Sequence, residues 1–134
     1  MIALDASVLL DILAGDPVHA EASETCIGDA LAREDVVVCD AVVAEVQAML
    51  DTSASLMDVL SGLGIRYEPT HEAAAMRAGH MYRRFRTRGG QRERVIADFL
   101  IGAHALLQCD GLITRDAAFF RDYFKGLKLI VPSA

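Results

Sequence analysis

Short apolar runs rich in Val, Ile and Leu alternate along this chain with longer stretches whose apolar positions recur at helical spacing. The runs predict strands at Ile2–Leu4, Val36–Cys39, Leu112–Thr114 and Leu127–Val131, with a weaker one near Ile65–Glu68. Helical patterns fill the gaps. Asp16-Pro17 reads as an N-cap followed by Pro at the first helical position, opening a helix to about Arg33. Asp40 caps a helix to about Leu50, Ala54 to Leu63 forms another, and Thr70 with Glu72 opens one to about Arg86. Val95 to Gln108 is strongly helical, and a short helix covers about Ala117 to Phe124. Strands that are apolar throughout, without alternation, belong to a parallel sheet covered on both faces. The βαβα order with right-handed crossovers predicts an α/β fold, a three-layer α/β/α sandwich around a central parallel sheet. No repeat, low-complexity tract or linker divides residues 1–134, so a single domain is expected.

Composition sharpens this picture. Apolar residues make up 53% of the 134 positions, a high share that suits buried elements or an apolar patch kept for a partner. No apolar run approaches the roughly 20 residues that span a bilayer, so no membrane association is expected. Asp5 and Asp11 interrupt what would be the apolar part of a leader, and no basic residue precedes it. Cys26, Cys39 and Cys109 are odd in number and scattered, which fits reduced core thiols in a cytoplasmic protein. The net charge of −6 argues against a generic nucleic-acid coat protein. Arg83, Arg84, Arg86, Arg88, Arg92 and Arg94 nevertheless crowd into one segment, interrupted by Arg88-Gly89-Gly90-Gln91, on an otherwise acidic body. They are candidates for phosphate contact, against the plainer reading of a solvated helix end.

The chemistry lies in the acids. In an open parallel sheet, ligands bind outside the carboxyl ends of the strands. The first strand runs directly into Asp5, and Leu112-Ile113-Thr114 into Arg115-Asp116, so both carboxylates fall at one sheet edge. Asp98 interrupts the nearly apolar stretch Val95–Leu107, and Glu45 does the same within Val42–Val46. A helix apolar all round is buried, and an unpaired carboxylate inside it is costly. Either an arginine or a metal ion must answer these charges. Four acids together favour magnesium or manganese, since oxygen-only ligands suit hard divalent cations. Singly, Asp5 and Asp116 read equally well as helix or turn caps, and Ser7 and Thr114 either as caps or as supports for a carboxylate. His19, His71, His80 and His104 form no constellation and read as surface or core residues.

Four segments resemble the PIN-domain family of metal-dependent nucleases, most closely its VapC-type toxins from prokaryotic toxin–antitoxin pairs. Leu4-Asp5-Ala6-Ser7-Val8-Leu9-Leu10 is similar to the family's opening strand, and Val43-Ala44-Glu45-Val46 to its helical Glu. Ala97-Asp98-Phe99-Leu100-Ile101-Gly102-Ala103-His104-Ala105 resembles its third acidic motif, and Leu112-Ile113-Thr114-Arg115-Asp116 through Phe119 its last. The match spans nearly the whole chain in the same order and spacing. Two positions depart from it. Ala118 stands where the family often has a further acid, and Ala41, Val42 and Val43 where it often has a hydroxyl before the helical Glu. The resemblance then implies a complete set of four acids, with a second metal site that is weak or forms only with RNA bound.

The resemblance implies a Mg2+- or Mn2+-dependent endoribonuclease, the toxin of a toxin–antitoxin pair. Asp5 and Asp98 would be direct ligands, Asp116 a ligand directly or through water, and Glu45 a ligand or the residue that orients the attacking water. Ser7 and Thr114 would support them, and Arg115 would join the basic segment as an RNA contact. A cognate antitoxin protein and a homodimer are implied by the family alone. The alternatives are a housekeeping RNA-processing nuclease of the same fold without an antitoxin, a non-enzymatic receiver-like domain, and a binding module with a vestigial site. A receiver needs an acceptor Asp after its middle strand and a Lys after its last, and Ile65–Pro69 and Leu129–Pro132 offer neither.

Overall fold

The computed structural model describes residues 1–50, 55–89 and 94–133. Five strands form one sheet: β1 (Ile2–Leu4), β2 (Val36–Val38), β3 (Arg66–Tyr67), β4 (Gly111–Ile113) and β5 (Leu129–Ile130). Their order is β3-β2-β1-β4-β5, and every pairing is parallel. Ile2 is matched by Val36 on one side and Gly111 on the other, and Leu4 by Ile113. The three central strands are buried along their length, while β3 is exposed and β5 half-buried. That gradient explains the weak apolar signal near Ile65–Glu68: an edge strand needs fewer apolar residues than a central one.

Among the described residues, seven helices connect the strands: α1 (Ala6–Leu13), α2 (Ala20–Leu31), α3 (Asp40–Met49), α4 (Leu56–Gly62), α5 (Glu72–Thr87), α6 (Ile96–Gln108) and α7 (Ala117–Tyr123). From β1 the chain moves first to β2 and β3, then crosses to β4 and β5. Right-handed crossovers in opposite directions place helices on both faces of the sheet, which gives the expected sandwich. The reversal occurs at β1, so a crevice opens between the carboxyl ends of β1 and β4.

Several boundaries differ from the sequence expectation. Helix α1 was not anticipated: Ala6–Leu13 is only 8 residues long and apolar enough to pass for a continuation of the first strand. Asp16 does not begin α2. Its Oδ1 accepts the backbone N–H groups of Val18 and His19, both at 2.8 Å, so it closes the turn that precedes the helix. Asp40 does not cap α3 either. Its carboxylate accepts the Thr70 hydroxyl, at 2.5 Å, and the Thr70 N–H, at 2.9 Å, tying α3 to the segment after β3. That interaction also uses up Thr70, so α5 starts at Glu72. Ala54 lies outside the described residues, as does positions 90–93 of the basic segment, Arg92 included. The three cysteines are free thiols, and burial pushes Cys109 up to about 12.

Behind the crevice lies a cluster of rings. Phe99 of α6 meets Phe85 at 5.4 Å, Phe119 at 5.3 Å and Tyr123 at 5.8 Å between ring centroids. Helix α6 approaches this cluster closely because of Gly102. A Cβ at that position would lie only 2.3 Å from the nearest carbon of the Phe124 ring.

Candidate active site

Asp5 leaves β1 at the crevice. Its N–H donates to the Ile113 carbonyl at 2.9 Å, so the end of β4 fixes its backbone. Its carboxylate is 7% exposed, and Oδ2 accepts the hydroxyls of Thr114 at 2.6 Å and Ser7 at 3.0 Å. Thr114 is fully buried, and its hydroxyl also accepts the Asp116 N–H at 2.9 Å. One hydroxyl therefore links the first acid to the backbone of the fourth. Of the alternatives open for Ser7 and Thr114, the structure makes both hydroxyls carboxylate supports.

Asp98 sits in the first turn of α6 and accepts the Val95 N–H at 3.1 Å, closing the start of its own helix. Glu45 reaches in from α3, and its Oε1 is buried without a hydrogen-bond partner. The carboxyl groups feel one another. Burial pushes Asp5 above the ordinary carboxylate range, against the pull of Thr114, Ser7 and the Ala6 N–H, and the charge on Asp98 adds to the rise. Burial also raises Glu45, followed by repulsion from Asp98 and Asp5. Asp98 is raised by burial and by Asp116, with the Val95 N–H and Arg94 acting against the rise. Three acids in one neighbourhood thus resist ionisation, as expected of negative charge that lacks enough positive charge nearby.

Two arginines answer part of that charge. Arg94 donates to Asp116 Oδ2, and its guanidinium lies 4.1 Å above the centre of the Phe119 ring. The acids Asp116, Asp98 and Asp5 all favour its charged form. Arg115 grips Asp11 through two bonds of 2.7 Å, and the Ser23 hydroxyl adds a third to the same carboxylate at 3.1 Å. Asp11 is 4% exposed. The guanidinium of Arg115, grouped above with the RNA contacts, is thus committed to a buried acid. Asp11 was missed as a structural residue, although an acid inside Ala6-Ser7-Val8-Leu9-Leu10-Asp11-Ile12-Leu13 carries the same signal as Asp98. The arginines of α5 are exposed and separate onto different faces: Arg84 and Arg88 line one groove, Arg83 and Arg86 another.

Among the described residues, no three acids, histidines or cysteines already stand as a closed cage for one ion. Asp5, Asp98 and Asp116 instead turn Oδ2 toward the nearest donors. The donor chemistry nonetheless fits a hard divalent cation. All four side chains offer oxygen, three have raised pKa values, and a buried Glu45 oxygen has no partner. The residues that could hold such an ion are Asp5, Asp98, Asp116 and Glu45.

The comparisons with known proteins bear on the same architecture. No curated protein sequence matches the chain. A chain in the structure of VapBC2 from Rickettsia felis, bound to a DNA fragment from its promoter, superposes with a TM-score of 0.73 at 15% identity, covering 99% of this chain and 100% of that one. A chain of VapBC-1 from nontypeable Haemophilus influenzae gives a TM-score of 0.69 at 17% identity, with 98% of each chain covered. FitAcB from Neisseria gonorrhoeae gives a TM-score of 0.67 at 25% identity, again with 98% of each covered. The first two show likeness of fold. The PIN domain family model matches residues 2–125, nearly the whole chain and all four acids, and the chain therefore belongs to the PIN domain family.

Proposed function

We propose that this chain is a Mg2+- or Mn2+-dependent endoribonuclease that hydrolyses RNA phosphodiester bonds, and that it is the toxin of a toxin–antitoxin pair. What supports this reading is the charge coupling among the acids, Asp98 acting on Asp5 and Glu45, Asp5 on Glu45 and Asp116 on Asp98, together with a buried, unpartnered Glu45 Oε1. PIN-domain proteins are nucleases, which supports hydrolysis at such a site. Asp5 and Asp98 would hold a divalent cation directly and Asp116 directly or through water, and the ion would supply a Lewis acid that activates water and neutralises charge on the scissile phosphate. Thr114 and Ser7 hold Asp5 in one orientation, which spares the site that reorganisation during the reaction. Glu45 would ligate the ion or orient the attacking water, with its buried Oε1 free of any other hydrogen-bond partner. Arg94 lies against Asp116, where its charge can meet a phosphate, and Arg84 and Arg88 add positive charge beyond it.

The antitoxin is proposed from the resemblance to VapC-type toxins, with the likeness to FitAcB at 25% identity and to the VapBC chains in support. A homodimer is proposed from exposed apolar side chains, Met49 at 71% and Val18 at 68% among them. No helix among the described residues is long and apolar enough to cross a membrane, which is compatible with action in the cytoplasm. The test of the activity is direct. Purified protein, freed of any antitoxin, should cut RNA with magnesium or manganese and stop when chelator is in excess. Equal cutting in chelator would remove the metal from the mechanism.

A further inference from the structure

Helix α5 carries its arginines on two faces, and the faces do not lead to the same place. Arg77, Arg84 and Arg88 recur at spacings of seven and four, which keeps them on one stripe of the helix. With Lys125 they surround a groove of about 440 Å3 whose floor includes Phe85 and Phe124. Asp122 is the acid among its described lining residues. Among the described residues none of these four cations has a carboxylate within ion-pair distance. A second recess of about 370 Å3 shares Phe85, Asp122 and Tyr123 with the groove and continues to Arg94 and Asp116 at the acidic site. Arg83 and Arg86, by contrast, flank a separate recess with Tyr82, over whose ring Arg86 lies at 5.8 Å.

We propose that the groove between α5 and the α7–Lys125 segment is the track for a single RNA strand, whose far phosphates are held by Arg77, Arg84, Arg88 and Lys125 while the scissile phosphate lies at the acids. The inference rests on the ribonuclease reading and specifies where its substrate runs. A rise of 1.5 Å per residue separates Arg77 from Arg88 by about 16 Å along α5, room for several nucleotides. Tyr123, 39% exposed at the junction of the two recesses, offers a ring face on which a base can stack. That ring, and the second recess that shares three lining residues with the groove and reaches Asp116, favour a nucleic-acid strand over an acidic peptide. Neutralising residues remote from the acids should therefore act on long substrates and spare short ones.

The experiment compares Arg84→Gln/Arg88→Gln with Arg83→Gln/Arg86→Gln, both exposed pairs on the same helix, in the full chain. Fluorescence anisotropy in chelator reads binding of labelled single-stranded RNA of 4 and 14 nucleotides, without cleavage. The first pair should weaken binding of the longer RNA at least tenfold and flatten the slope of log affinity against log salt by about 1.4, two contacts at about 0.7 each. It should leave the tetranucleotide within twofold, and the second pair should leave both RNAs within twofold. Equal losses in the two pairs, or none in either, would overturn the track. So would retained RNA affinity in the first pair with lost affinity for a glutamate-rich peptide, which would make the groove a protein-docking site. Cleavage by the wild type in magnesium is read separately. Its absence would sink the nuclease reading, while the binding pattern would still establish the groove as an RNA site.

Discussion

Asp98 and Asp11 are both acids set in apolar helices, and the fold answers them differently. Asp11 receives a two-bond arginine and a serine hydroxyl. Asp98 receives one backbone N–H and the more distant charge of Arg94, and its pKa is raised. In the metal-free protein this has a consequence for pH. A carboxyl whose folded pKa is raised holds its proton better folded than unfolded, so its contribution to stability is present at low pH and is lost as pH rises through the window above its ordinary value of about 4. Asp98→Asn removes that loss and relieves the repulsion on Glu45 and Asp5. Melting of the metal-free mutant relative to wild type should therefore improve as pH rises above about 4 and then level off, with the mutant as stable or more so at neutral pH. A relative stability that worsens with pH would make Asp98 an ion-pair partner of Arg94. At this scale the sequence spoke clearly about Asp5, Glu45, Asp98 and Asp116, because their positions after strands or inside apolar helices are local facts. It grouped Arg94 and Arg115 with the RNA contacts and gave no sign of their pairing with Asp116 and Asp11, since the direction of a long side chain depends on which acids the fold brings within its reach.

Helix α6 delivers Asp98 to the crevice, and its placement depends on a contact that no local pattern reveals. Gly102 lies four residues beyond Asp98, so it shares the same face, and its missing Cβ is where the Phe124 ring rests. Gly102→Ala should force that ring or the helix to shift, at a cost of about 1–3 kcal/mol of overpacking. Gly28→Ala in α2 is the control. A Cβ there meets nothing within 4 Å, and the substitution should gain up to about 1 kcal/mol from helix propensity. Chemical denaturation of both variants reads the two signs, and a neutral Gly102→Ala would mean that α6 is not seated by Phe124. The order of strands and helices was legible from apolar periodicity, apart from α1, whose brevity hid it. Their ends were less so. Asp40 and Asp16 are cap residues by type, yet Asp40 is drawn to Thr70, 30 positions away, and Asp16 to a turn.

The whole molecule arranges these elements so that one crevice collects negative charge from four separate segments. The sheet reverses its order at β1, which brings the ends of β1 and β4 side by side, and α3 and α6 then lean Glu45 and Asp98 toward them. The parallel sheet and its switch point could be anticipated, because strands apolar on both faces admit few other arrangements. The division of the basic segment into two faces could not, since it depends on where α7 and Lys125 lie against α5. Thermal melts with and without magnesium test most directly whether the acids form a divalent-cation site. A ligand present at about 100 times its dissociation constant stabilises the folded state by about 2.7 kcal/mol. Wild type should show that gain as a higher melting temperature, and Asp98→Asn should lose most of it while remaining folded without metal. A wild type indifferent to magnesium and manganese, together with an Asp98→Asn variant that unfolds in their absence, would contradict the account.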